Sequence, residues 1–196
     1  MGACDSTGGS AIMTRRIFLA TILPASAIVA GGSGLGSEVN AAPAEVFIIR
    51  HAEEPEIGAH LSDRGLERAK SLVRLFSERF TKPTALYATR TSSHSNRAIE
   101  TLEPLATALG LEIDQSCSTL EYEKLASLIL NKRNAGGHVL ACWHRESIAD
   151  LATALGVRRP PDWPATQYDH LWWLRYTTGP PTFSDEGQGL LPGDKS

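Results

Sequence analysis

The chain has 196 residues, 42% of them hydrophobic, and its 19 basic and 22 acidic side chains leave a formal net charge of -3. That length holds one domain of ordinary size once an N-terminal targeting segment is set aside, and the absence of a basic surplus argues against nucleic acid or an anionic membrane face as a partner. The cysteines, Cys4, Cys117 and Cys142, show neither Cys-x-x-Cys nor zinc spacing, so no disulfide scaffold and no structural metal site is indicated.

Residues 1–44 read as a signal peptide with its cleavage region. Arg15-Arg16 precede a modestly apolar run from Ile17 to Ile28 that dissolves into Gly31-Gly-Ser-Gly34. The basic pair, with Thr14 before it and Ile-Phe-Leu after it, resembles a twin-arginine export signal, and the run is short for a transmembrane anchor. Val39-Asn-Ala41 and Ala42-Pro-Ala44 both offer cleavage sites, the cut after Ala41 being favoured, and either Met1 or Met13 can serve as the start. The partner implied here is the twin-arginine export machinery, and the destination is periplasmic or secreted.

The domain is expected over residues 45–177. Val46-Phe-Ile-Ile49 reads as a strand buried on both faces, and it stops at Arg50-His51. A polar loop follows, and then a helix with Ser62 as N-cap and apolar residues every three or four positions from Leu66 to Phe80. Ala85-Leu-Tyr-Ala88 predicts a second strand. After the polar segment Thr89 to Asn96 comes a second helix, beginning at Arg97, kinked or restarted at Pro104 and closed by Gly110. Leu111 to Asp114 predicts a short strand and Glu121 to Arg133 a third helix. His138-Val-Leu-Ala-Cys-Trp143 is a second strongly apolar strand that again stops at a histidine, His144, and Cys142 within it is expected as a buried thiol, as is Cys117. A fourth helix carries Ile148, Leu151, Ala152 and Leu155. His170 to Tyr176 predicts a last strand at a sheet edge, on which Trp172 and Trp173 point to opposite faces, and residues 178–196 read as a disordered tail. Strands alternating with helices predict an α/β domain, a three-layer α/β/α sandwich around a mostly parallel sheet.

A basic pair beyond a buried strand falls where open α/β sheets bind ligands. Arg50 and Arg97 carry planar donor forks matched to phosphate oxygens, a neutral His51 is a nucleophile able to reach phosphorus, and a protonated His144 adds a further donor. Arg90 and His94, on the loop before the second helix, are either substrate contacts or solvated loop residues.

Arg50-His51-Ala52-Glu53, Leu61-Ser-x-x-Gly65-x-x-Arg-Ala69, Ser93-x-x-x-Arg97-Ala98-x-x-Thr101 and the late His144 together resemble the histidine phosphatase superfamily, from Val46 to about Tyr176. The chain departs from the pattern at Trp143, where the family often has glycine, and in having no obvious acid after the second arginine. The resemblance implies a phosphoglycerate mutase-like fold and a phosphatase acting on a small phosphorylated substrate or a phosphoprotein. It implies a phosphohistidine on His51, with Arg50, Arg97 and His144 around the phosphate, and no metal or other cofactor. Glu53, Ser93 and Arg90 are candidate substrate contacts. Glu121 and Glu123 stand where the family's leaving-group acid lies, with Glu121 preferred; both are equally readable as first-turn helix acids. Two other readings stay open, a non-catalytic phospholigand-binding protein and a phosphoglycerate mutase-type phosphotransferase. Retention of the nucleophile weighs against the first, and the short chain with its signal against the second.

Overall fold

The computed structural model of the chain describes residues 42–194; the twin-arginine pair and the apolar run of the signal lie outside them. The first strand, β1 (Glu45–Arg50), is followed by α1 (Asp63–Glu78), β2 (Ala85–Ala88), α2 (Arg97–Leu109), β3 (Ile113–Asp114), α3 (Tyr122–Ile129), β4 (His138–Trp143), α4 (Ile148–Ala154), β5 (His170–Arg175) and β6 (Thr182–Gly187). These strands form one sheet in the order β3-β2-β4-β1-β5-β6. β2 is parallel to β3 and β4, and β4 to β1, whereas β5 runs antiparallel to β1 and β6 antiparallel to β5. Among the described residues no helix is long and apolar enough to cross a membrane.

The continuous apolar runs of β1 and β4 follow from their central positions. Val46 and Ile48, with Val139, Ala141 and Trp143, pack against α3 and α4 through Leu125, Ile129, Ile148 and Leu151. Phe47 and Ile49, with Leu140 and Cys142, pack on the other face against Leu72 and Phe76 of α1 and Leu102 and Leu105 of α2. A strand covered by helices on both sides has no solvent face to fill with polar residues. The tryptophans of β5 divide in the same way: Trp172 joins the first layer, and Trp173 stacks on Phe47 in the second. Cys117 and Cys142 are buried, unpaired thiols.

Three expectations need correction. α2 runs unbroken through Pro104; a proline deprives a helix of a single amide donor, and the turns on either side are held by the buried Leu102 and Leu105. α3 ends at Ile129 and a separate 3₁₀ turn, Lys132–Asn134, follows. The buried Asn134 amide donates to the Leu128 and Ile129 carbonyls, serving the end of the helix with a side chain instead of another turn. Residues 178–194 are ordered. β6 pairs along all of β5, so β5 is interior and not an edge. Beyond β6, the Gln188 amide donates to the Tyr168 and His170 carbonyls, while the Asp194 carboxylate accepts the Leu190 and Leu191 amides and ion pairs with Arg68.

Candidate active site

β1 and β4 lie in register, Arg50 beside Trp143, and the His51 amide donates to the Trp143 carbonyl at 3.1 Å. The residues that follow the two strands leave the sheet at one point, which brings the His51 and His144 rings together edge to face, centroids 5.0 Å apart. His51 is 3% exposed. Its Nδ1 lies 2.8 Å from the Ala52 carbonyl, which can only accept, so Nδ1 carries the proton and Nε2 keeps its lone pair. Burial lowers the His51 pKa to about 4, with His144 and Arg50 acting in the same sense, and the ring is neutral at pH 7. Burial also lowers the pKa of His144, helped by Arg97 and Arg50 and opposed by Glu146 and Glu54. The protonated His144 expected from the sequence therefore requires an added negative charge beside it.

The helix motifs hold the loop that leaves His51. The Ala52 amide donates to Thr101 Oγ1 at 2.9 Å, and that hydroxyl donates onward to the Arg97 carbonyl at 2.7 Å, tying the loop to the first turn of α2. Ser62 caps α1 by accepting from the Gly65 amide, while its own amide and hydroxyl both donate to the Glu53 carbonyl. The start of α1 thus presses directly on the Glu53 backbone, and a Cβ at position 65 would overlap the Glu53 carbonyl oxygen. Gly65→Ala is therefore expected to destabilise the fold by about 1–3 kcal/mol, the usual scale for a forced overlap in a packed region, read as a lowered midpoint in urea unfolding.

Two guanidinium groups face each other across this loop, and between them lies a residue the motifs did not single out, Glu54. One Glu54 carboxylate oxygen is 3.1 Å from Arg50 Nη2 and accepts the Tyr168 hydroxyl at 3.2 Å; the other is 2.9 Å from Arg97 Nη2. Burial raises the Glu54 pKa, but Arg97, His51 and Arg50 outweigh it and keep the carboxyl below its ordinary value. Arg50 is fixed further by the Ala165 carbonyl at 2.7 Å and by the Tyr168 ring, whose centroid is 3.8 Å from the guanidinium carbon. Arg97 donates to the Gly58 carbonyl at 2.8 Å. The Nε–H groups of Arg50 and Arg97 are both buried without a hydrogen-bond partner among the described residues, an arrangement that leaves donor capacity for an anion.

His51, Arg50, Arg97 and His144 are thus gathered into one site, whereas the other sequence candidates are engaged by other partners or exposed. Glu53 turns away: Arg68 Nη2 and Nε approach its two oxygens at 2.7 and 3.0 Å, and Arg64 adds a third contact. Ser93 is exposed. Arg90 is exposed and donates to the Ser116 carbonyl, 3.5 Å from Glu121. Glu121 accepts the Ser118 amide at 2.8 Å and contacts Lys124 at 3.2 Å. These partners, the Ser118 hydrogen bond foremost, lower its pKa to about 2, the setting of an anion and not of a proton donor. Glu123 is exposed on the first turn of α3. Trp143 has a structural explanation: fully buried, it donates from its indole to the Thr119 carbonyl at 3.1 Å and so fastens the loop before α3 to the core.

No family model and no curated protein matches the chain. Among solved structures, it is similar to phosphoserine phosphatase from Entamoeba histolytica in complex with 3-phosphoglyceric acid, with TM-score 0.54 and 15% identity over 75% of this chain and 99% of that one. A histidine-to-alanine mutant of that enzyme, in complex with phosphoserine, gives 0.55 and 13% over 75% and 98%. A mycobacterial glucosyl-3-phosphoglycerate phosphatase with inorganic phosphate gives 0.51 and 15% over 72% and 95%. Identities this low speak to architecture alone, and on that level the agreement spans nearly the whole of each solved chain. The chain has the phosphoglycerate mutase-like α/β fold of these solved structures, a mixed six-stranded sheet flanked by helices.

Proposed function

We propose that the chain is an exported phosphatase that hydrolyses phosphate esters or related phosphorylated compounds through a phosphohistidine on His51. One observation carries this reading: a neutral, tautomer-fixed His51 stands in one site with the buried Arg50 and the half-buried Arg97, each with a buried Nε–H that has no partner among the described residues. In the reaction, the His51 Nε2 lone pair attacks phosphorus and the bond to the leaving oxygen breaks, the electron pair departing with that oxygen. Arg50 and Arg97 balance charge on the equatorial oxygens, positioning and electrostatics being most of what phosphoryl transfer requires. The phosphate dianion supplies the negative charge that favours protonated His144. Water then attacks the phosphohistidine, releasing orthophosphate and restoring His51. The similar phosphoserine phosphatase makes phosphoserine a first substrate to try.

The test is a panel of aryl, alkyl and acyl phosphates and phosphoramidates, assayed with the purified full chain and its Arg97→Ala variant. Hydrolysis is expected, with Arg97→Ala lowering kcat about 10²- to 10³-fold, the scale for loss of one preorganised donor. Absence of turnover across the panel overturns the reading. Because Glu121 is held as an anion by the Ser118 amide and Lys124, Glu121→Gln is expected to leave the ratio of alkyl to aryl phosphate rates unchanged; a selective loss on alkyl phosphates would make it the acid after all.

Export rests on Arg15-Arg16 and the short apolar run. The backbone bonds of Ala42 and Ala44 to Gly136, Gly137 and Tyr176 tie the residues just beyond the favoured cut into the domain, as a mature terminus there would need. N-terminal sequencing of envelope protein is expected to begin at Ala42, and recovery of an intact Met1 or Met13 terminus there would remove this part of the proposal.

A further inference from the structure

The Glu54 carboxylate occupies the two-arginine fork in the way a phosphate would, one oxygen on Arg50 and the other on Arg97. We infer that Glu54 is an internal competitor of the substrate phosphate, which must displace it from Arg50 and Arg97 before binding. The inference rests on the phosphate-pocket reading above and adds a specificity-determining residue to it.

Three features of the site support this. Arg50 Nη2 and Arg97 Nη2 are the donors that Glu54 uses, and these two guanidinium groups are the strong anion donors next to His51. A planar fork prefers paired oxygens, and carboxylate and phosphate present the same pair, so the two anions exclude one another at those donors. Glu54 also has a way out. Its side chain is 32% exposed, whereas its neighbour Glu53 is clamped by Ser62 and Arg68 and the far end of the loop by bonds from Asn96 and Arg97 to Ala59 and Gly58. A change of Glu54 rotamer alone clears the fork. The exchange replaces one negative charge with two between the same guanidinium groups, so the phosphate dianion wins by its additional charge and by the Nε–H groups that Glu54 leaves unpartnered.

The consequence is a site tuned to weak anion affinity. Product orthophosphate, which has lost the leaving group's contacts, is held only by what remains after the cost of displacing Glu54, and so leaves more readily than it would from an open fork.

The test is calorimetric titration of the full chain with orthophosphate at pH 7.5, comparing the parent with Glu54→Gln, Glu54→Ala and Arg97→Ala. Both Glu54 variants are expected to bind orthophosphate at least about tenfold more tightly, equivalent to about 1.4 kcal/mol, and Arg97→Ala more weakly than the parent. If the parent binds, Arg97→Ala weakens binding and neither Glu54 variant binds more tightly, the competitor role is overturned while the phosphate pocket stands. If none of the four proteins binds orthophosphate, the pocket reading itself fails and this inference falls with it. A Glu54 that merely supported the loop would lower the melting temperature of its variants and leave the dissociation constant where it was, which also overturns the proposal.

Discussion

His51→Ala is expected to remove at least about 10⁴-fold of turnover, the scale on which loss of a nucleophile is felt when it works as one unit with its neighbours. Among the described residues the ring nearest to it, that of His144, lies across the site, where the proposed mechanism uses it as a donor. The fold should survive, because His51 lies beyond the end of β1 and its ring's hydrogen bond among the described residues is to the adjacent Ala52 carbonyl. Equal melting curves for parent and variant, combined with lost hydrolysis of an aryl phosphate, are the expected pair of results; equal rates would refute the mechanism. The acid limb of the parent's kcat/KM profile adds an independent sign. In the proposed mechanism His51 attacks as the neutral nucleophile, and its pKa is lowered to about 4 by burial, so activity should persist well below pH 6.5 and fall as the ring protonates toward pH 4. The same depression means that His51 contributes its full share of stability above the unfolded histidine pKa and loses it as pH falls from about 6.5 to 4.

Arg68→Ala is expected to cost about 3–5 kcal/mol of stability, the range for deleting one member of a buried ionic group. Arg68 is 2% exposed, and its guanidinium contacts Glu53 and Asp194 at 2.7 Å each and Gln188 at 3.3 Å. Without it, two carboxylates in a desolvated corner lose their principal counter-charge. Burial alone would raise the pKa values of Glu53 and Asp194, but Arg68 reverses this, holding Glu53 below its ordinary value and Asp194 at about 2. A depressed carboxyl contributes stability above its unfolded pKa and loses it as pH falls through the folded one, so the parent should weaken between about pH 4 and pH 2 on account of Asp194. In Arg68→Ala that loss should shrink, because the depression has gone. Urea unfolding of both proteins at pH 7 and pH 3 measures the two effects together: a deficit at pH 7 that is no smaller at pH 3 would contradict the ionic origin.

The parts of the site visible in the sequence are those carried by periodic elements. Val46 to Ile49 and Val139 to Trp143 announce buried central strands because both faces are apolar, and the histidine ending each follows at a fixed position. Arg97 and Thr101 are one helical turn apart, a spacing that a sequence displays directly. Glu53 and Glu54 behave otherwise. They are adjacent, chemically identical and on an irregular loop, so no period says which one turns toward Arg68 and which toward the guanidinium fork. The Ala165 carbonyl and the Tyr168 ring that fix Arg50 were hidden for a similar reason: a carbonyl leaves no mark in residue identity, and the contact spans more than a hundred positions. Thr182-Phe-Ser-Asp-Glu-Gly187 looks like tail on composition, and it becomes a strand because β5 offers it an open row of amides and carbonyls.

The central place of β1 in the sheet bears on how the chain is made. It is the first of the described strands to be synthesised, yet its neighbours are β4, starting at His138, and β5, starting at His170. At about 5–20 residues per second of synthesis, the Val-Phe-Ile-Ile segment waits on the order of 5–20 s for β4 and longer for β5, with its apolar faces and both edges unpaired. Pairings so distant in sequence form slowly once available. The interval before β4 arrives therefore leaves an apolar strand with no partner for its edges, the condition under which partly made chains aggregate.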